Sequence, residues 1–237
     1  MQIVKQSLKK CLQALVAVAV LSFTPISAFA GAYEDFFKAI ELDDGRTITQ
    51  LLRRGFDVNS ASETGQTPLY LALRGEAHQA VAALLAAPDL KVDQANEAQE
   101  TALMMAALRG HLEWCQRLVE RGAAVHREGW SPLHYASTGP NPKTVSYLLS
   151  RGAQVNALSP NGTTPLMMAA RYGNEASVDV LLAAQADAKV RNQKDLTAAD
   201  FAREAGREAL ARRLDALAGT GSAATPGTSS GTPVVPR

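Results

Sequence analysis

The sequence predicts an all-α chain of about six helix pairs stacked side by side, the outermost pairs divergent. Three observations point there. First, a phrase opening on Thr or Ser and closing on Ala recurs: Thr67-Pro68-Leu69-Tyr70-Leu71-Ala72, Thr101-Ala102-Leu103-Met104-Met105-Ala106, Ser131-Pro132-Leu133-His134-Tyr135-Ala136 and Thr164-Pro165-Leu166-Met167-Met168-Ala169, with a fainter copy at Thr197-Ala198-Ala199-Asp200-Phe201-Ala202. Second, their first residues lie 34, 30, 33 and 33 positions apart, and a period near 33 marks a helical repeat array. Third, each phrase precedes a second apolar run, such as Val178-Asp179-Val180-Leu181-Leu182, and several of these runs close on Gly-Ala, as at Gly122-Ala123 and Gly152-Ala153.

The ends of the chain read differently from this array. Lys5, Lys9 and Lys10 precede an apolar run from Cys11 to Phe23, and Ala28-Phe29-Ala30 forms an Ala-x-Ala site before Gly31. That is the pattern of a cleavable export leader over residues 1–30. The rival reading, an uncleaved anchor, needs about 20 apolar residues, and Pro25 interrupts a run already short. Removing the leader takes away three lysines and no acid, which moves the net charge from +1 to −2. The remaining chain keeps one cysteine, Cys115, so no internal disulfide can form and packing must hold the fold. From residue 219 to 237 the chain is mostly Gly, Ser, Thr, Ala and Pro, too poor in apolar residues to fold, and is expected to be a disordered tail. The repeat domain therefore occupies residues 31–218.

In order, residues 31–65 form a divergent first pair. Tyr33, Phe36, Phe37, Ala39 and Ile40 make one apolar helical face; Ile48, Leu51 and Leu52 make the next. Arg53-Arg54-Gly55 is a helix stop, and the acids Glu41, Asp43 and Asp44 between the helices are expected to face water. In the second repeat Thr67 reads as an N-cap and Pro68 as the first helical residue; a second helix runs around His78–Ala87 until Pro88. The third repeat has its second helix at Gly110-His111-Leu112-Glu113 and beyond. The next phrase then arrives early, so about three residues are missing between Val125 and Trp130. In the fourth, Gly139-Pro140-Asn141-Pro142 makes the turn and Pro142 opens the second helix. The fifth is regular, and the last carries Phe201, Leu210, Leu214 and Leu217 on one side with Arg203, Arg207, Arg212 and Arg213 as a charged outer face.

These residues resemble the ankyrin repeat family over about residues 31–218. The resemblance implies a solenoid of helix pairs with short β-hairpin-like fingers, each pair covering its neighbour's apolar face because it cannot bury its own. It also implies a binding module without chemistry of its own, whose partner meets the finger tips and the concave face of the first helices. Carried over one by one, those positions are Gln66 and Arg74, then Glu100, Leu108 and Arg109, then Trp130 and Thr138, then Thr163, Arg171 and Tyr172. Arg, Trp and Tyr are the types that anchor interfaces, so Trp130, Arg109, Arg171 and Tyr172 are the strongest candidates. The family also uses the His of the phrase, here His134, to bond a loop backbone and its own phrase's hydroxyl.

Other chemistry finds little support. Near-neutral charge and the lack of a basic cluster argue against nucleic acid. The four histidines, His78, His111, His126 and His134, show no metal-ligand spacing, and Ser131 with His134 has neither a nearby acid nor a nucleophile elbow. The Met104-Met105 and Met167-Met168 pairs read as one core side chain and one groove side chain each. The expectation is thus a monomeric, exported, periplasmic (or secreted) non-enzyme without cofactor or metal, binding another protein as adaptor, stabiliser or inhibitor. The alternatives are delivery of haem to a periplasmic redox enzyme such as catalase, and action as a secreted effector.

Overall fold

The computed structural model describes residues 26–219. Over them the chain forms twelve helices and no strand. They fall into two compact units divided between Lys91 and Val92.

The amino unit holds α1 (Ile26–Glu41), α2 (Gly45–Arg53), α3 (Pro68–Arg74) and α4 (His78–Leu85). Helix α1 packs on α2 and α3, α2 on α4, and α3 on α4. Its core is Phe36, Ile48, Leu73 and Leu84, all fully buried, with Phe36 lying 4.4 Å ring to ring from Phe56 in the chain leaving α2. Helix α1 starts at Ile26 and so runs through the expected cleavage point after Ala30. The rest of the expected leader, and all but the first residue of the expected tail, lie outside the described residues.

The carboxy unit holds α5 (Ala102–Arg109), α6 (Leu112–Glu120), α7 (Pro132–Thr138), α8 (Pro142–Ser150), α9 (Pro165–Tyr172), α10 (Glu175–Ala183), α11 (Ala198–Glu204) and α12 (Glu208–Gly219). The first helices α5, α7, α9 and α11 pack in sequence as one row, and α6, α8 and α10 as a second row behind them. The phrase leucines Leu103, Leu133 and Leu166 are buried in the first row, and Leu118, Leu148 and Leu181 in the second. Deleting any one would leave a cavity costing about 2–5 kcal/mol.

The phrase works as the sequence suggests. Thr67, Thr101, Thr164 and Thr197 accept the N–H three residues on, which satisfies one of the orphan donors of the first turn. In four of the five phrases the third residue after the Thr or Ser then answers in kind, through different atoms. The His134 ring meets the Ser131 N–H at 3.1 Å; Met104 and Met167 offer sulfur to the Thr101 and Thr164 N–H groups at 3.5 and 3.4 Å; Asp200 offers carboxylate to Thr197 at 2.8 Å.

Polar side chains also tie neighbouring repeats within each unit. Asn59 clasps the Asp89 carbonyl and the Lys91 N–H, Asp93 accepts from the Ala124 N–H, and Asn156 accepts from the Asp187 N–H. At the turns between paired helices Asn141 donates to the Gly110 carbonyl and Asn174 to that of Pro140. These turns come close to the preceding repeat: a Cβ added at Gly139 would sit 2.8 Å from the Ala107 and Leu108 carbonyl oxygens. Glycine is therefore required there by proximity.

The expected fingers are short hairpin-like turns, each closed by an N–H to C=O bond spanning four residues, at Ser62–Gln66, Asn96–Glu100, Ser159–Thr163 and Asn192–Leu196. Other expectations change. Asp43 and Asp44 do not simply face water. Asp44 caps α2 through the Arg46 and Thr47 N–H groups, and the Thr47 hydroxyl and backbone hold its carboxyl below the usual range. Asp43 accepts the Ala80 N–H at 2.8 Å, capping α4, whose own N-cap Ala77 has no side chain able to do so. Arg207 is no mere surface charge: one guanidinium nitrogen donates to the Ala169, Ala170 and Gly173 carbonyls at 2.9–3.0 Å, where the end of α9 carries partial negative charge. Both Met104 and Met105 are buried, so only the second pair sends a methionine, Met168, part-way out.

Candidate functional site: the first-helix faces

The candidate residues divide into those already engaged within the fold and those left outward. Trp130 is half-buried, and its ring stands edge-on to His134 at 5.3 Å. The shortened loop thus delivers the indole onto its own repeat. His134 is fully buried. An N–H can only donate, so the Ser131 N–H requires a bare Nδ1, and Nε2 donates to the Thr163 carbonyl at 3.0 Å. Burial pushes this imidazole's pKa below its usual value. Thr163 is itself buried and gives His134 its carbonyl. Glu100 accepts from the Tyr135 hydroxyl at 2.9 Å and from Asn96 at 3.0 Å. Thr138 donates its hydroxyl back to the Tyr135 carbonyl within α7, and Leu108 of α5 is half-buried.

Arg171 and Tyr172, at the end of α9, are brought together. The Arg171 guanidinium lies 5.3 Å from the Tyr172 ring centre and 5.8 Å from that of Phe201, and pairs with Glu204 of α11. Tyr172 remains 58% exposed. On α11 the Arg203 guanidinium bridges Asp200 and Asp215. Arg109 is exposed at the end of α5.

In the amino unit, Arg74 is exposed at the end of α3, its guanidinium 6.0 Å from the Tyr70 ring centre, and Gln66 is half-buried where the finger turns into α3. Arg74 lines a groove of about 710 Å³ between α1, α3 and the finger at Ser62–Thr64. Its apolar surface comes from Tyr33, Phe37, Ile40 and Leu71. Of these only the helical face of α1 was visible in the sequence; its outward rings carry no phrase and the family positions do not reach them. A second groove, of about 630 Å³, lies behind, between α2 and α4 and the segments leaving them.

The Cys115 thiol is buried and pushed up to about 12, the behaviour of a small apolar core residue. Among the described residues no three His, Cys, Asp or Glu side chains are grouped to hold a metal ion. Nor, among them, is any helix long and apolar enough to cross a membrane.

The profile of the family described as "Ankyrin repeats (3 copies)" matches residues 36–128, 89–159, 124–192 and 141–214. The chain belongs to the ankyrin repeat family. Ankyrin repeats are protein–protein interaction modules. One chain of the Bdellovibrio bacteriovorus structure of the predatory endopeptidase Bd0816 in complex with the immunity protein Bd3460 is similar at TM-score 0.66 and 31% identity, over 77% of this chain and 97% of that one. Human neurogenic locus notch homolog protein 4 is 43% identical over 93 residues, which are 37% of this chain and 5% of that protein. Mouse protein phosphatase 1 regulatory subunit 27 is 34% identical over 88 residues, 36% of this chain and 57% of that protein. The match to these curated relatives thus spans only part of their length.

Proposed function

We propose that this ankyrin repeat protein is exported and holds a hydrolytic enzyme of the same compartment through its first-helix faces, restraining that enzyme's activity. The observation that carries the reading is the outward aromatic surface on those faces: Tyr172 at the end of α9, and the groove of Tyr33 and Phe37 on α1. Rigid aromatic side chains supply contact area at low entropic cost, which is why they dominate interface energetics. The likeness to a chain from a complex of an endopeptidase with an immunity protein supports restraint over simple scaffolding, since it extends over nearly all of that chain. Export rests on the leader pattern of Lys5, Lys9 and Lys10, the apolar run and Ala28-Phe29-Ala30.

The test is capture of partners from a periplasmic extract by the tagged full chain, followed by assay of the captured enzyme with and without added chain. The expected result is one dominant hydrolase, inhibited by the wild-type chain and released by the Arg171→Ala/Tyr172→Ala double variant. Capture of nothing, or of an enzyme that stays fully active when bound, would sink the proposal. Mass spectrometry of the purified protein should show Gly31 as the first residue; an intact Met1 in the exported fraction would contradict the cleavage.

A further inference from the structure

The groove of the amino unit is uneven in charge along its length. At its finger end stand Glu34 of α1, next to the Tyr33 that bonds the finger, and Glu63 at the finger tip, both exposed. Its cations lie further along. Lys38 follows Glu34 by one helical turn, and Arg74 closes α3 at the end where Glu41 closes α1. The finger end is also the rigid, aromatic end. The Tyr33 hydroxyl donates to the Ala61 carbonyl at 2.9 Å, which pins the ring to the finger. Phe37 lies 4.8 Å from Tyr33, ring to ring, and 5.5 Å edge-on to Phe36 in the core. Burial, and then the nearby Glu63 carboxylate, raise the pKa of the Tyr33 phenol, so the acid's field reaches the ring.

Three kinds of side chain could enter such a space. An aliphatic one would cover the rings but desolvate two carboxylates without compensation. An acidic one would meet like charge. A lysine or arginine satisfies both halves: its methylene stem lies along Phe37 and Leu71, and its head group meets the aromatic faces and the two carboxylates together. We infer that the amino-unit groove takes a lysine or arginine side chain presented by the partner protein, with Tyr33 and Phe37 as its bed and Glu34 and Glu63 as its counter-charges. This rests on the proposed partner-binding role and names the partner's chemistry at one point of the surface.

The probe is a random dodecapeptide library displayed on phage and selected on the immobilised full chain. Enriched peptides are synthesised and their affinities measured for the wild type and for Glu34→Gln/Glu63→Gln. Both substituted residues are exposed, and matching thermal melts confirm that the variant folds. The expected peptides carry Arg or Lys beside a Leu or aromatic residue, bind at least tenfold more weakly to the variant, and weaken as NaCl is raised. Enrichment of peptides without a basic residue, equal affinity for the variant, or no enrichment at all would overturn the inference. The two proposals fail separately: an enzyme partner still captured and inhibited by Glu34→Gln/Glu63→Gln leaves the restraining role standing and removes only the basic-side-chain groove.

Discussion

The first-helix faces of the two units are built on the same plan and end in different states. In the carboxy unit the prominent charged groups are paired off. Arg171 pairs with Glu204, Arg203 bridges Asp200 and Asp215, and Glu100 takes the Tyr135 hydroxyl. What stays outward there includes the Tyr172 ring and Arg109. In the amino unit the corresponding face opens into a groove whose floor is aromatic and whose finger end is acidic. The difference teaches that residue type at a family's contact positions does not decide which of them can reach a partner. Neighbouring repeats have first claim on each side chain, and only the stacking reveals who has been claimed.

The largest way to break this contrast is Arg207→Ala. The carboxy unit relies on that guanidinium to satisfy three carbonyls at the end of α9. Charged hydrogen bonds of this kind contribute about 1.5–3 kcal/mol, so chemical denaturation should show a loss in that range, with Arg207→Lys recovering part of it. In the amino unit Asp43→Ala removes a side-chain cap that α4 receives from the preceding repeat, and a cost near 1 kcal/mol is expected by the same measurement.

His134→Met sharpens the comparison between phrases, because Met104 and Met167 already occupy its position. Its imidazole pKa is lower in the folded chain than the ordinary value of about 6.5. The stabilising contribution is therefore complete above about pH 6.5 and is lost as pH falls through the folded value. Denaturation midpoints from pH 7.5 to 5 should show wild-type stability declining on the acid side. His134→Met should be about 1 kcal/mol weaker at pH 7 for want of the Thr163 bond but should lack that part of the acid-side decline. Equal acid sensitivity in both proteins would show that His134 is not its source. The smallest effect belongs to Glu204→Gln: the pair with Arg171 is exposed, so stability should move by less than about 1 kcal/mol. Freeing the guanidinium should nonetheless raise capture of an acidic partner surface by the carboxy unit.

Much of the architecture was legible in the sequence because it repeats. The Thr-Pro-Leu phrase fixes the N-cap, the first helical residue and the first buried leucine at once, and the structure places each of the later pairs accordingly. The candidate face was legible only in outline. Trp130, Thr138 and Glu100 sit where the family places contacts, yet their bonds and ring contacts run inward. Asp43 and Arg207 were misread as surface charge because their partners lie 37 and 34–38 residues away, a distance at which no local pattern signals a contact. One signal was present: Asn141, Asn174 and Arg207 recur 33 residues apart at the turn between paired helices, and each donates to the repeat before it. The α1 groove left no such trace, since its rings belong to the divergent first repeat.

The central claim is that the first-helix faces grip the partner. Hydrogen–deuterium exchange of the full chain, with and without the captured enzyme, tests it most directly. The account predicts new protection at Tyr33–Glu41, at Leu71–Gly75 and around Arg171–Tyr172, with α6, α8 and α10 unchanged. Protection confined to those second helices, with the first helices exchanging as in the free protein, would contradict it.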